Sequence, residues 1–344
     1  MAAFTFTPKE RLLRVLAKEP VDRPPVICMG GMMNAAIVEI MKETGHTLPG
    51  AHGREELMAE LAIDIHKFTG FENIGVPFCM TVEAEVLGSR VDLGSLSCEP
   101  KIASEAFLSV SEAVFPGLER LNGAGRIKTV ANAIRHLAKS HPDTPRIASL
   151  TGPISTAASL VEPMTFLKEL RKDPGGSHRV LGSVTGFLEL YAEVLLESGA
   201  DVIGIGDPTA TGEILGPAAF EEFALPYLNR LIERIHALEA PVIVHICGRV
   251  TRVRHLIPLL VSDAVSTDAL VNLSALKRDY PQLVTMGNVS TYLLQNGPPE
   301  QVARRTARLL QEGVDIIAPA CGLSTSTSIR NIRALTDTVK GKWL

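Results

Sequence analysis

No stretch of about 18 consecutive apolar residues occurs in the 344-residue chain, so no membrane span is expected. Met1 to Arg11 holds no apolar region of the kind a secretory leader needs, which points to a cytoplasmic protein. Cysteine is sparse: five residues, at positions 28, 79, 98, 247 and 321, scattered and odd in number. That excludes a disulfide framework and fits a reducing compartment. Basic clusters interleaved with aromatics are missing and the net charge is −4, so no nucleic-acid footprint is expected. Aromatic residues are only 5 %, which argues against a stacked arene pocket. No low-complexity tract, short-period repeat or linker divides the chain, and residues 1–344 read as one domain. What is abundant is apolar residue, at 46 % against 21 % charged, enough for a substantial core.

That apolar content is distributed in a repeated pattern. Thr7-Pro8-Lys9-Glu10 predicts a helix start, with Thr7 as cap, Pro8 in the first position and Glu10 in the first turn. The helix is expected to run to about Lys18, before Pro20, Pro24 and Pro25. Eight short apolar runs then follow: Val26–Met29, Glu72–Pro77, Arg146–Leu150, Asp201–Ile205, Val242–Ile246, Ala264–Thr267, Leu283–Met286 and Asp315–Pro319. Between them lie amphipathic stretches, among them Leu118–Lys139, Pro163–Arg171, Val180–Ser198, Ala218–Leu238, Val250–Leu260 and Glu300–Glu312. Strand then helix, eight times, predicts a (β/α)8 TIM barrel rather than an open doubly wound sheet. Met80–Pro100 reads as a hairpin-like excursion beside it, and Ser328–Trp343 as a closing helix.

Chemistry concentrates where such a barrel places it, at the carboxyl ends of the strands. In Val242–Gly248 the residues His245 and Cys247 stand two apart at a strand end and so point to one side. Cys321 ends the last run. One imidazole and two thiolates make a donor set that suits zinc, with a fourth position left over. Asp268, ending the sixth run, can supply an exchangeable carboxylate there or yield to a substrate thiol. Zinc would hold such a thiol as the nucleophilic thiolate. Asp207 ends the fourth run and either hydrogen-bonds a metal-bound His245 or makes a turn or cap. Asn288 ends the seventh and either lines the pocket or forms a turn after Gly287. Glu83 and Glu85, two apart, either share a strand face to bind a cation or substrate, or sit idle in a solvated hairpin. Met32, beside Gly30 and Gly31, is either an apolar wall able to face a cofactor ring or core filler. Cys28, Cys79 and Cys98 read as structural.

Several segments together resemble the uroporphyrinogen decarboxylase superfamily, in its cobalamin-dependent methyltransferase branch. They are Glu19–Pro25, Val76-Pro77-Phe78, Thr81–Gly88, Thr151-Gly152-Pro153, Asp207–Ala210, His245–Gly248, Met286–Val289 and Asn331–Ala334. The resemblance covers nearly the whole chain and implies a TIM barrel. It implies zinc on His245, Cys247 and Cys321, with Asp268 standing where the family has an exchangeable glutamate. It further implies methylcobalamin carried on a separate corrinoid protein, a small-molecule thiol acceptor, and a possible homodimer. The decarboxylase itself is disfavoured: Met29–Ala35 holds no arginine where that enzyme grips its carboxylates, and Pro319–Gly322 lacks its histidine. Three other readings stay open. One is transfer in the opposite direction, from an O- or N-methyl donor to the corrinoid protein; the others are a non-catalytic metal or corrinoid-protein binder, and the decarboxylase.

Overall fold

The computed structural model describes residues 6–115, 117 and 124–343. Its strands are β1 (Ile74–Val76), β2 (Arg90–Asp92), β3 (Lys101–Ser104), β4 (Arg146–Thr151), β5 (Val202–Gly206), β6 (Val242–Ile246), β7 (Ala264–Thr267), β8 (Thr285–Val289) and β9 (Ile316–Pro319). Seven of them form one parallel sheet in the order β1-β4-β5-β6-β7-β8-β9, curled into a half-barrel, while β2 and β3 pair separately as an antiparallel hairpin. Seven of the eight expected runs are therefore strands, and a fully closed eight-stranded barrel is not formed.

The eighth run explains the difference. Val26 makes a single bridge to Ile317, and Pro24 and Pro25 just before it offer no N–H to a ladder. Toward β1, a side chain replaces the ladder: Asn73 Nδ2 donates to the Cys28 carbonyl (2.7 Å) and Asn73 Oδ1 accepts the Cys28 N–H (2.8 Å). Gly75 permits the close approach, since a Cβ there would lie 2.3 Å from the Met29 carbonyl oxygen. Glu72 anchors the same seam. Its carboxylate, 4 % exposed, accepts from Arg11 (3.1 Å), Arg23 (2.9 and 2.5 Å) and the Val26 N–H (3.0 Å).

The alternating side chains of the strands fill the interior. Ile147, Val202, Ile243, Ala264 and Ile316 pack there with Leu12, Val15 and Leu16 of the N-terminal helix Pro8–Leu16, which closes the lower end. That helix starts as the sequence predicts, with a Thr7–Glu10 capping box, and ends two residues early. Each buried Leu or Val contributes roughly 1.5–3 kcal/mol. Outside, the long helices bury their apolar stripes against the other faces of the strands.

Four local expectations are corrected. The stretch Ala218–Leu238 is interrupted by a π turn at Phe220–Ala224 before the helix Leu225–His236, because Pro226 lacks the N–H that would continue the ladder. Val250–Leu260 is mostly turn, with one short 3₁₀ segment, Ile257–Leu259, around Pro258. The helix expected from Leu118 runs over Gly125–Ser140, and positions 118–123 lie outside the described residues. The excursion begins as a helix, Val82–Val86, before the β2–β3 hairpin. Among the described residues, no helix is long and apolar enough to cross a membrane.

Candidate metal centre

Strand parity delivers the first two side chains. Ile243 points into the interior, so His245 does too, and Cys247 follows just past the end of β6. The end of β9 brings Cys321 to the same rim. His245 Nε2 lies 3.3 Å from Cys247 Sγ, and Cys247 Sγ lies 3.3 Å from Cys321 Sγ. All three ligand atoms fall within 4.8 Å of one another. A tetrahedral zinc with bonds of about 2.0–2.3 Å sets its ligand atoms about 3.5 Å apart, so this donor set could hold one.

The electrostatics of the trio suit a divalent cation. Cys247 and Cys321 hydrogen-bond each other, and that bond, reinforced by His245, holds the Cys321 thiol below its ordinary range against the effect of burial. The same bond, then burial and the charges of Cys321 and Asp268, pushes the Cys247 thiol up. A metal bound there would neutralise both sulfurs. His245 is fully buried, and its Nδ1 lies 2.9 Å from Ser266 Oγ. Ser266 Oγ also lies 3.8 Å from Met33 Sδ, and with Nδ1–H given to Ser266 the ring would turn the Nε2 lone pair to a bound metal. Ser266 is the in-register partner of His245 across β6 and β7. It escapes sequence reasoning because only strand register marks it.

The other expected residues take different posts. Asp207 does not reach the His245 ring. Its carboxylate accepts from the Ile154 N–H (3.0 Å), the Ser155 N–H (2.8 Å) and the Ser155 hydroxyl (2.6 Å), capping the helix Pro153–Ala158. Gly152 makes room, as a Cβ there would lie 2.5 Å from the Asp207 side chain. Burial pushes Asp207 up to about 6 despite those bonds. Asn288 is fully buried and donates to the carbonyls of Asp268 and Val271 (both 2.8 Å), tying down the loop after β7 instead of lining the cleft. Glu83 and Glu85 do not share a face, because they lie on a helix, where a spacing of two turns side chains apart. Glu83 is buried on Thr151, accepting its N–H at 2.7 Å, and Glu85 pairs with Arg126. Asp268 lies outside the ligand trio, its carboxylate accepting the Leu270 N–H at 2.9 Å.

A cleft of about 550 Å³ opens beside Cys321. Met32, Met80 and Leu323 form its apolar walls, and Ser97, Glu99, Thr291, Gln295, Ser324 and Thr325 its polar lining. Met33, the neighbour of Met32, is buried beneath the trio against Ser266. Glu99, an exposed residue, arrives from the β2–β3 excursion, and the surrounding chain and then the charge of Cys321 raise its carboxyl. No spacing in the sequence announces that arrival. Ser328, the last of the hydroxyl run, caps the helix Ile329–Val339.

Comparison with known proteins decides the family. The uroporphyrinogen decarboxylase (URO-D) family model matches residues 7–342. The chain belongs to the uroporphyrinogen decarboxylase family. Within it, the methylcobamide:CoM methyltransferase MtbA of Methanosarcina acetivorans is 32 % identical over 97 % of this chain and 98 % of its own. The methylcobamide:CoM methyltransferase MtaA of Methanosarcina barkeri is 31 % identical over 96 % of each. Among solved structures, a methyltransferase from Methanosarcina mazei superimposes with a TM-score of 0.92 at 30 % identity, covering 98 % of this chain and 99 % of that one. The resemblance read from the motifs is thus borne out, as far as the methyltransferase branch of this uroporphyrinogen decarboxylase family.

Proposed function

We propose that this chain is a corrinoid-dependent methyltransferase that moves a methyl group between a corrinoid protein and a small thiol, with zinc held by His245, Cys247 and Cys321. The observation that carries this reading is the meeting of one imidazole and two sulfurs at the rim of an open cleft. The similarity to methylcobamide:CoM methyltransferases over nearly the full length supports the corrinoid and thiol parts of it. When bound, zinc would keep an incoming thiol as thiolate at neutral pH.

The chain's own residues do the rest. Ser266 orients the His245 ring. Asp268, engaged with the Leu270 N–H, would leave an outside sulfur free to approach a metal held by the trio. Met32 and Met80 keep water from the reacting sulfur and offer an apolar face to a corrin ring. In the transfer the thiol would lose its proton to solvent, a carbon–sulfur bond would form as the carbon–cobalt bond breaks, and that bond's electron pair would stay on cobalt. The methylcobalamin comes on a partner, since this chain has no Asp-x-His-x-x-Gly segment of the kind that holds it. The decarboxylase reading finds no arginine in the cleft lining to grip a polycarboxylate.

The test is to mix zinc-loaded protein, free methylcobalamin and a panel of thiols. Loss of the methyl–cobalt absorbance with stoichiometric thioether is expected; no conversion with any thiol would overturn the proposal. A finer measurement probes Ser266. Ser266→Ala is expected to weaken zinc binding about tenfold to hundredfold in competition with a chromophoric chelator. Unchanged affinity would mean that Nδ1 is oriented by something else.

A further inference from the structure

We infer that the acceptor thiol carries a neutral or cationic tail rather than an anionic one, and that Glu99 sets this preference. The inference rests on the thiol-transfer reading above and names the substrate class for it. A thiol whose sulfur sits at the trio must lay its tail in the cleft beside Cys321. Among the described residues, that lining contains one carboxylate, four hydroxyls and one amide, but no lysine and no arginine. The relatives named above are called CoM methyltransferases, and coenzyme M carries a sulfonate. A sulfonate calls for a guanidinium fork or an ammonium. Here it would meet Glu99.

Glu99 does not stand there by accident of a loose loop. The excursion folds back on itself through the Ser95–Cys98 bridge, and a Cβ at Gly94, whose φ is +73°, would lie 2.1 Å from the Cys98 carbonyl oxygen. The Thr325 hydroxyl donates to the Ser97 carbonyl at 3.0 Å, pinning the tip across the cleft. Arg249, two residues beyond Cys247, lines a separate cleft with Glu213, Thr251 and Arg252, and its N–H donates to Glu213. A hydroxyl tail would find the Ser, Thr and Gln groups; an ammonium tail would pair with Glu99.

Three thiols with the same two-carbon spacer separate the cases: 2-mercaptoethanesulfonate, 2-mercaptoethanol and 2-aminoethanethiol. Each is assayed with zinc-loaded protein and methylcobalamin, and its binding to zinc-loaded protein without corrinoid is measured by calorimetry. The sulfonate is expected to be the poorest in both, by about tenfold or more in kcat/KM against the amine. Glu99→Lys is expected to shift the amine-to-sulfonate ratio by at least about tenfold toward the sulfonate. Comparing variants cancels the intrinsic difference in thiol acidity. Three results would each overturn the inference alone: a wild-type preference for the sulfonate, a ratio unmoved by Glu99→Lys, or sulfonate use abolished by Arg249→Ala. If no thiol is bound or methylated, the thiol-transfer reading itself fails and this inference goes with it.

Discussion

Cys321→Ala and Cys247→Ala are each expected to yield folded protein that no longer retains zinc and no longer transfers methyl groups. Both sulfurs are only half-buried, so truncation removes little packing. What it removes is one of three ligands. Changing a group that merely orients a ligand costs about tenfold to hundredfold in metal affinity, and losing a ligand should exceed that. Turnover is expected to fall by about a thousandfold or more, because without the metal a thiol of ordinary acidity is mostly protonated at neutral pH. Metal content by atomic absorption and the methylcobalamin assay read the two effects separately. Cys98→Ala, on an exposed cysteine at the excursion, should keep both. Retained turnover in either ligand variant would defeat the proposed chemistry.

The second large effect concerns stability. Glu72→Ala is expected to cost about 3–5 kcal/mol, the range for deleting one partner of a buried ion pair. Arg11 is 3 % exposed and would keep its charge with one carboxylate fewer, Asp22 remaining. The Val26 N–H would also lose its acceptor, at a seam that few backbone bonds hold. The melting temperature should drop by about 4–7 °C for a chain of this size. The pH dependence has a definite sign. Burial by itself would raise the Glu72 pKa. The Arg23 bond and charge, the Val26 N–H and Arg11 outweigh burial, and the net shift is downward. A carboxyl whose folded pKa is depressed adds stability above its unfolded pKa and loses it as pH falls through the folded one. Wild type and Glu72→Gln should therefore differ most near neutrality and converge in acid. Denaturant midpoints across that range measure it, and equal stability at pH 7 would contradict this account of the seam.

Much of this was legible in the sequence because period and position carry it. The seven parallel strands announce themselves as β-branched runs, and strand parity alone puts His245 and Cys247 on one side. Cys321 could be placed beside them only by assuming that successive strand ends share a rim. What stayed hidden depends on register and on chain reversal. Ser266 is chosen by its pairing with His245, and Glu99 by an excursion that folds back across the cleft. Asp207 looked chemical because strand-end acids often are, yet Gly152 lets it sit on free backbone N–H groups instead. Neither reading of Glu83 and Glu85, a shared strand face or an idle hairpin, foresaw the five residues of helix that turn the two side chains apart. The incomplete eighth strand was foreshadowed by Pro24 and Pro25, although the apolar run after them masked it.

The plug formed by Leu12, Val15 and Leu16 has a kinetic corollary. With the lower end packed shut, a bulky corrin would, under the proposed chemistry, stand at the rim that carries Cys247 and Cys321. A carrier docked there would stand between the trio and solvent, so a small thiol would enter before it and the thioether would leave after it.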